Sequence, residues 1–163
     1  MQETVFELQD KKTDKELYSY QQGAIQQIFE KFDNEREDYH LLYQLPTGGG
    51  KTVIFSEIVR QYLKNHSKKV LVMTHRVELC NQTSDMLTSF GVVNKVVNSK
   101  ANLDDQEKYS CYVAMVETLN NRLNDDKLDI SDVGLVIIDE AHYNSFTKLF
   151  KFFENSFILG VTA

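Results

Sequence analysis

The stretch Leu45-Pro46-Thr47-Gly48-Gly49-Gly50-Lys51-Thr52 holds three of the seven glycines and the one proline of this chain. Residues that break regular structure are rare elsewhere, so we expect helices and strands joined by polar loops, with one special turn here. The apolar segment His40 to Gln44 precedes the turn, and a helical apolar pattern that includes Ile54 and Ile58 follows it. The local order is therefore strand, glycine turn, helix.

Further apolar segments alternate along the chain between the patterns of strands and helices. Strands are predicted at Val70 to Met73, Val92 to Val97, Cys111 to Val116, Leu135 to Ile138 and Phe157 to Val161. Helices are predicted from about Ser19 (with apolar positions Tyr20, Ala24, Ile25, Ile28, Phe29 and Phe32), from Leu79 to Phe90 with Gly91 ending the helix, and near Thr118 to Leu123 and Phe146 to Phe153. Continuous apolar strands are typical of a sheet covered on both faces. We expect an α/β fold with a mostly parallel sheet and helices on both faces, with surface loops at Lys100 to Lys108 and Asn120 to Asp132.

The length and the composition of the chain are typical of one globular domain. The chain has 163 residues, 42% of them hydrophobic and 26% charged. Its two cysteines, Cys80 and Cys111, have no metal-ligand or redox spacing, so we expect buried thiols. No apolar run approaches the roughly 18 residues of a membrane span, and we expect a cytoplasmic protein without a membrane partner. The net charge of -6 argues against coating nucleic acid by bulk electrostatics, although a local strip of contacts remains open.

The glycine turn has the chemistry of a phosphate cradle. Glycines let successive N–H groups converge on phosphates, and the following helix adds its positive N-terminal end. On this interpretation Thr47 to Gly50 surround the phosphates of ATP, Lys51 reaches the β- and γ-phosphates, and Thr52 ligates Mg²⁺. Leu45 stands where the usual pattern has its first glycine, so an ordinary glycine-rich turn is the alternative.

A second group of residues supports the nucleotide interpretation. Val136-Ile137-Ile138-Asp139-Glu140-Ala141-His142 is an apolar strand that carries two acids at its carboxyl end, where α/β sheets place their ligands. Asp139 would hold Mg²⁺ through its hydration shell. Glu140 would accept a proton from the water that attacks the γ-phosphate. The alternative is an ordinary solvated Asp-Glu pair at a strand end. It is disfavoured because Lys51 and Thr52 follow another strand of the same predicted sheet.

These segments together resemble the ordered motifs of superfamily-two DEAD/DEAH-box helicases. The resemblance rests on LPTGGGKT at 45–52, VLVMTHRVEL at 70–79, VAMVETL at 113–119, DEAH at 139–142 and LGVTA at 159–163. It is strongest to the type III restriction enzyme-like branch and covers the chain from Leu17 onward. The resemblance implies a RecA-like P-loop NTPase fold.

The resemblance also implies roles for residues outside the glycine turn. Leu17 to Gln21 is similar to a family segment whose glutamine recognises adenine, so Gln21 is the candidate. Tyr18 and Ser19 replace the Arg and Pro of that segment, and a helix start capped by Ser19 is the alternative.

Other matched positions concern nucleic acid and coupling. Thr74, His75, Arg76 and Thr118 match residues that contact the nucleic-acid backbone, with an ordinary helix start and cap as the alternative. His142 matches a residue that couples the nucleotide site to the LGVTA segment. Lys51, Asp139, Glu140 and His142 are thus the catalytic candidates.

The implied function is that of the N-terminal RecA-like motor domain of a helicase or translocase that acts on DNA rather than RNA. Residues 1–163 would form this one domain, with an arm at 1–16, and a second RecA-like domain C-terminal to it would supply a catalytic arginine. Without that domain we expect ATP binding, very slow hydrolysis and no unwinding. A P-loop phosphotransferase for a small molecule and a nucleotide-gated binding module are the rival interpretations.

Overall fold

Helices and strands alternate through the chain. The computed structural model describes residues 17–35, 39–44, 50–98, 103–124, 131–140 and 151–162. The helices are α1 (Ser19–Asn34), α2 (Lys51–Asn65), α3 (Val77–Ser89) and α4 (Val116–Asn124), with a short 3₁₀ turn at Gln106–Lys108. The strands are β1 (His40–Gln44), β2 (Lys69–Thr74), β3 (Lys95–Val97), β4 (Cys111–Met115), β5 (Val133–Asp139) and β6 (Phe157–Thr162). None of the helices in these ranges is long and apolar enough to cross a membrane.

The six described strands form one sheet in the order β1-β6-β5-β2-β4-β3, and every neighbouring pair is parallel. This confirms the predicted parallel α/β fold. The carboxyl ends of parallel strands share one edge of the sheet, and that edge carries the residues that follow β1, β5, β2 and β4. Because Gln44 is in register with Thr162 and Asp139 with Val161, one strand separates the glycine turn from the acidic pair.

Both faces of the sheet are buried, as the continuous apolar strands predict. Val70, Val72 and other alternate strand residues pack under α1, α2 and α3 on one face. Leu71 and Met73 point to the opposite face, where α4 covers them. The four-residue run from Val70 to Met73 is fully buried, which a half-exposed strand would not allow. The sheet is therefore a rigid platform that fixes the positions of the loops at its carboxyl edge.

The strand predicted at Val92 to Val97 is shorter than expected. Gly91 does end α3, with φ 78, and the N–H of Val92 donates to the carbonyl of Leu87. Val92 is buried because it closes this helix end, and β3 begins only at Lys95.

Two other expectations, for the start and length of α4 and for Tyr20, need correction. Val116 begins α4 instead of ending β4, and α4 continues to Asn124, inside the stretch predicted as a loop. Tyr20 is not part of the buried stripe of α1, since 51% of it is exposed. Of the helix predicted at Phe146 to Phe153, residues 146–150 lie outside the described residues.

Cys80 and Cys111 are free, buried thiols, as predicted. Burial raises the pKa of both, and the pKa of Cys111 is raised to about 12. Neither thiol is ionised near neutral pH, so both act as small apolar side chains.

Candidate functional site

Three charged side chains meet at the carboxyl edge of the sheet. Lys51 is the first residue of α2, Asp139 is the last residue of β5, and Glu140 follows it. The ammonium of Lys51 donates a hydrogen bond to Oε1 of Glu140 and lies 3.5 Å from Oδ1 of Asp139. The structure thus brings together three of the four residues that the sequence predicts for catalysis, and the fourth, His142, lies outside the described residues.

The backbone at the start of α2 has a conformation that glycine favours. Gly50 is the N-cap and adopts the left-handed conformation, with φ 73 and ψ 45, and its carbonyl accepts the N–H of Ile54 at 3.0 Å. Glycine adopts this conformation without the steric penalty that a Cβ would cause. Thr52, the second residue of α2, is half-buried at the same helix end. Thr47, Gly48 and Gly49 lie outside the described residues, and so does His142.

Asp139 is a buried acid in an apolar strand. Only 6% of it is exposed, and burial raises the pKa of its carboxyl group; the charge of Lys51 opposes this and that of Glu140 adds to it. Among the described residues, its Oδ1 has no hydrogen-bond partner. A buried acceptor that receives no hydrogen bond costs folding free energy. This oxygen is therefore suited to accept a hydrogen bond from a water molecule held by a metal ion. Asp139 therefore fits the predicted Mg²⁺ role.

Lys51 is charged at every physiological pH. Burial acts to lower its pKa, but the hydrogen bond to Glu140 and the charges of Asp139 and Glu140 outweigh burial and raise the pKa. Its ammonium is thus available to bind another anion, provided that anion competes with the two carboxylates.

Glu140 occupies a strained backbone position. It has φ 60, and it is the one non-glycine residue with positive φ in the described part of the chain. Such a conformation costs roughly 1–2 kcal/mol for an L-residue and occurs often at functional sites. Here it follows the last residue of β5 directly, and the Glu140 carboxylate contacts Lys51.

Gln21, the candidate for adenine recognition, lies beside Gly50. It is 4% exposed, and its Oε1 accepts the backbone N–H of Tyr18 at 2.9 Å. A Cβ added to Gly50 would lie 2.5 Å from its Nε2, so the amide packs directly on Gly50. Helix α1 begins at Ser19 with Tyr18 as its N-cap, which differs from the alternative in which Ser19 caps the helix.

The predicted nucleic-acid residues follow β2 and β4 on the same edge. Arg76 is exposed and caps α3, His75 is half-buried, and Thr118 is half-buried in the first turn of α4. Thr74 does not fit the expectation of a direct contact, since it is fully buried and its hydroxyl donates to the carbonyl of Arg76 at 3.2 Å. Its place in the structure is to hold the turn that presents His75 and Arg76.

Two features of this edge are not among the predicted site residues. Thr162, 8% exposed, ends β6 between the glycine turn and the acidic pair. In the sequence, this residue could have been found through the LGVTA segment. Only the strand order shows that the strand of this segment lies between β1 and β5. The exposed rings of Tyr18 and Tyr20 beside Gln21 are the second feature, and the sequence marks Tyr18 only as a departure from a pattern.

Comparisons with known proteins agree with this arrangement. The chain is 36% identical over 150 residues to a Saccharomyces cerevisiae protein described as the ATP-dependent helicase IRC3, with 86% of this chain and 21% of that protein covered. It is 26% identical over 133 residues to the ATP-dependent DNA helicase Hel308 of Thermoplasma acidophilum, with 79% and 19% covered. The chain thus spans about a fifth of the length of these relatives.

A solved structure and a family model complete the comparison. The crystal structure of the UvsW helicase from bacteriophage T4 has a TM-score of 0.69 at 22% identity, covering 91% of this chain and 54% of that one. This likeness shows the RecA-like helicase fold. The model of the family described as type III restriction enzyme, res subunit, matches residues 14–163. The chain belongs to this family of superfamily-two helicase ATP-binding domains.

Proposed function

We propose that this chain is the ATP-binding half of a DNA helicase or translocase motor. The observation that carries the proposal is the meeting of Lys51, Asp139 and Glu140 at the end of the parallel sheet. Oδ1 of Asp139 is buried there, 3.5 Å from the Lys51 ammonium and without a hydrogen-bond partner among the described residues. A cation for phosphate, an acceptor for a metal-bound water and a base are the three groups that ATP hydrolysis needs.

Mg²⁺ bound with ATP would neutralise charge on the phosphates, and Thr52 and Asp139 are the residues placed to hold it. The chain's own residues do the rest. Lys51 exchanges its carboxylate partners for the β- and γ-phosphates. Glu140, released from Lys51, accepts a proton from the attacking water, and Gly50 with Gln21 borders the bound nucleotide. The contacts of Lys51 with Asp139 and with Glu140 would thus be replaced when ATP binds.

The nucleic-acid track lies beside the nucleotide site in the sheet order. The turn after β2, with His75 and Arg76, follows the acidic strand β5, and the turn after β4, with Thr118, is next. The exposed guanidinium of Arg76 suits a phosphodiester, which a charged fork binds without reading bases. DNA is the proposed substrate because Hel308 and UvsW relatives are named DNA helicases.

Full activity is proposed to need a second RecA-like domain. In P-loop enzymes, an arginine that contacts the γ-phosphate increases the rate of hydrolysis by a factor on the order of 10³–10⁵. The chain alone should therefore bind ATP and hydrolyse it very slowly.

Comparing single-stranded DNA with RNA of the same sequence tests the proposal. We expect this chain to bind Mg²⁺-ATP and single-stranded DNA, with DNA retained more tightly than RNA at equal salt. Tight binding to neither polymer, together with phosphate transfer to a small hydroxyl compound, would favour the phosphotransferase interpretation instead.

A further inference from the structure

A cavity lies at the end of the sheet opposite the candidate nucleotide site. It has a volume of about 310 Å³ and is formed by the last turns of α2, the residues that follow α3 and the turn before β4. Helix α2 connects the two ends of the sheet, because Lys51 is its first residue and Lys64, in its last turn, lines the cavity. At 1.5 Å per residue, these two positions are about 20 Å apart along the helix axis. A ligand in this cavity would therefore not occupy the space of a nucleotide held by Lys51.

The charged residues that line the cavity are all cations. Arg60 and Lys64 come from α2 and Lys108 from the turn before β4, and no acidic side chain is among the described residues that line it. The chain as a whole has a net charge of -6, so the charge of this cavity is opposite to that of the chain. Lys64 and Lys108 are both exposed. The cavity therefore presents positive charge to a ligand that approaches from solvent.

Arg60 is held in place by a buried carboxylate. Its Nε donates to Oε2 of Glu57 at 2.8 Å and its Nη2 donates to Oε1, and the two side chains are 16% and 7% exposed. The amide of Gln61 donates a third hydrogen bond to the same carboxylate, at 2.9 Å. Because two donors on one edge of the guanidinium already bind Glu57, that edge is not placed to bind a phosphate in the bidentate manner.

Apolar side chains form much of the remaining cavity wall. Phe90 and Val92 are 2% and 5% exposed, Leu63 is half-buried, and Val93 is 72% exposed. An inorganic phosphate or a phosphodiester has no apolar group to cover Val93, and Phe90 is too buried for a nucleobase to stack on it. A ligand that carries carboxylates beside aliphatic groups matches both the cations and the apolar wall.

We propose that this cavity is a docking site for an acidic segment of a partner protein. Carboxylates of that segment contact Lys64 and Lys108, and one of its aliphatic side chains covers Val93. The site goes beyond the proposed motor function and does not depend on it. A partner bound at this end of the sheet leaves the carboxyl edge, with Lys51 and Arg76, open to nucleotide and nucleic acid. Contacts between carboxylates and exposed lysines are screened by salt, so the affinity should fall as the salt concentration rises.

The experiment uses two fluorescently labelled peptides of equal length, followed by fluorescence anisotropy as the chain is added. One peptide is built from Glu, Leu and Ser, and the other has Gln in place of every Glu. The Glu peptide should bind, and the Gln peptide should bind about 5- to 25-fold more weakly.

Variants of exposed residues locate the peptide without threatening the fold. Lys64→Ala and Lys108→Ala should each weaken the Glu peptide by about 2- to 5-fold, and by about 4- to 25-fold when combined. Val93→Ala should weaken both peptides by about 2- to 5-fold, because it removes part of the apolar contact. Lys31→Ala removes an exposed cation of α1 that does not line the cavity. This matched control makes the same change in net charge as each lysine variant and should leave the affinity unchanged.

Several outcomes would overturn the docking site. Equal binding of the Glu and Gln peptides, or unchanged affinity in the double variant of Lys64 and Lys108, would remove the role of the cations. Displacement of the Glu peptide by inorganic phosphate, beyond that by chloride at equal ionic strength, would assign the cavity to a small anion. Displacement by single-stranded DNA would assign it to a phosphodiester, and displacement by Mg²⁺-ATP would place the peptide at the carboxyl edge. The ATP affinity of the chain is measured separately, so failure of the docking site would leave the proposed function standing.

Discussion

The ammonium of Lys51, at the start of α2, lies 3.5 Å from Oδ1 of Asp139, at the end of β5. The two residues follow or end strands that β6 separates, so it is the strand order of the parallel sheet that brings them together. The contact joins the two halves of the proposed site, the half proposed for phosphate and the half proposed for the metal ion. The cation contacts two carboxylates, and the phosphates of ATP would have to compete with them.

Asp139 should lower the stability of the chain at neutral pH. Its pKa is raised by burial, so the folded state binds the proton more tightly than the unfolded state does. The stability that the protonated Asp139 carboxyl contributes is fully present below its ordinary pKa of 3.8. It is lost as pH rises through the raised pKa of the folded state. Asp139→Asn should therefore increase the free energy of unfolding in urea at pH 7, with a gain that shrinks toward pH 3.5.

Asp105 supplies a control of opposite sign for that experiment. Its hydrogen bond with Lys95 lowers its pKa, so its contribution is present above the ordinary value and is lost as pH falls. Asp105→Asn should reduce stability at neutral pH. If both variants moved stability in the same direction, the account of the Asp139 environment would be wrong.

Glu140→Gln should separate ATP binding from turnover. The amide keeps the shape of the side chain but cannot accept the proton of the attacking water, and general base catalysis contributes about 10²–10⁴ in rate. We expect ATP affinity within a few-fold of the parent and hydrolysis reduced by about that factor, measured by phosphate release in a protein that also contains the second domain. Undiminished hydrolysis would assign the base to another group.

Gly50→Ala should destabilise the chain and loosen the nucleotide site. The new Cβ would lie 2.5 Å from Nε2 of Gln21, and φ 73 penalises any L-side chain by roughly 1–2 kcal/mol. Gly23→Ala is the matched control, because nothing lies within 4 Å of a Cβ there and alanine favours a helix by roughly 0.5–1 kcal/mol. Thermal unfolding should show opposite shifts; a neutral Gly50→Ala would show that this turn is not held as described.

Arg76→Ala should weaken DNA binding without changing sequence preference. A cation that contacts phosphate contributes to counterion release, so its removal should lower affinity uniformly and reduce the salt slope by about one unit. Fluorescence anisotropy with two unrelated single strands over a range of salt measures both effects. Lys108→Ala, an exposed cation before β4 at the other edge, should change neither. Loss of discrimination between the two strands would point to base contacts.

Much of this fold could be predicted from local pattern. The runs at Val70 to Met73 and Leu135 to Ile138 predict strands buried on both faces, and Gly91 predicts a helix end, because one-dimensional hydrophobicity and glycine geometry dominate there. The strand predicted at Val92 to Val97 exists but begins only at Lys95. Val92 is buried because it closes the end of α3, and apolarity alone does not distinguish this reason for burial from membership of a strand.

The sequence predicted which residues meet at the candidate site better than it predicted their backbone conformation and burial. Residues at strand ends must share one edge, so the meeting of Lys51 with Asp139 follows from a parallel sheet. The left-handed backbone of Glu140 and the burial of the Thr74 hydroxyl depend on tertiary contacts that no spacing encodes. The stack of Tyr18 on Tyr20, by contrast, is a local contact at the start of α1.

The most direct test of the central claim is the affinity of Mg²⁺-ATP for the chain and for Lys51→Ala, measured by calorimetry at one salt concentration. A charge-assisted hydrogen bond is worth about 1.5–3 kcal/mol, so the account predicts binding weakened by about tenfold to a hundredfold. Lys64→Ala, at the exposed far end of α2, should bind as the parent does. Equal ATP affinity in the parent and in Lys51→Ala would contradict the assignment of this edge as the nucleotide site.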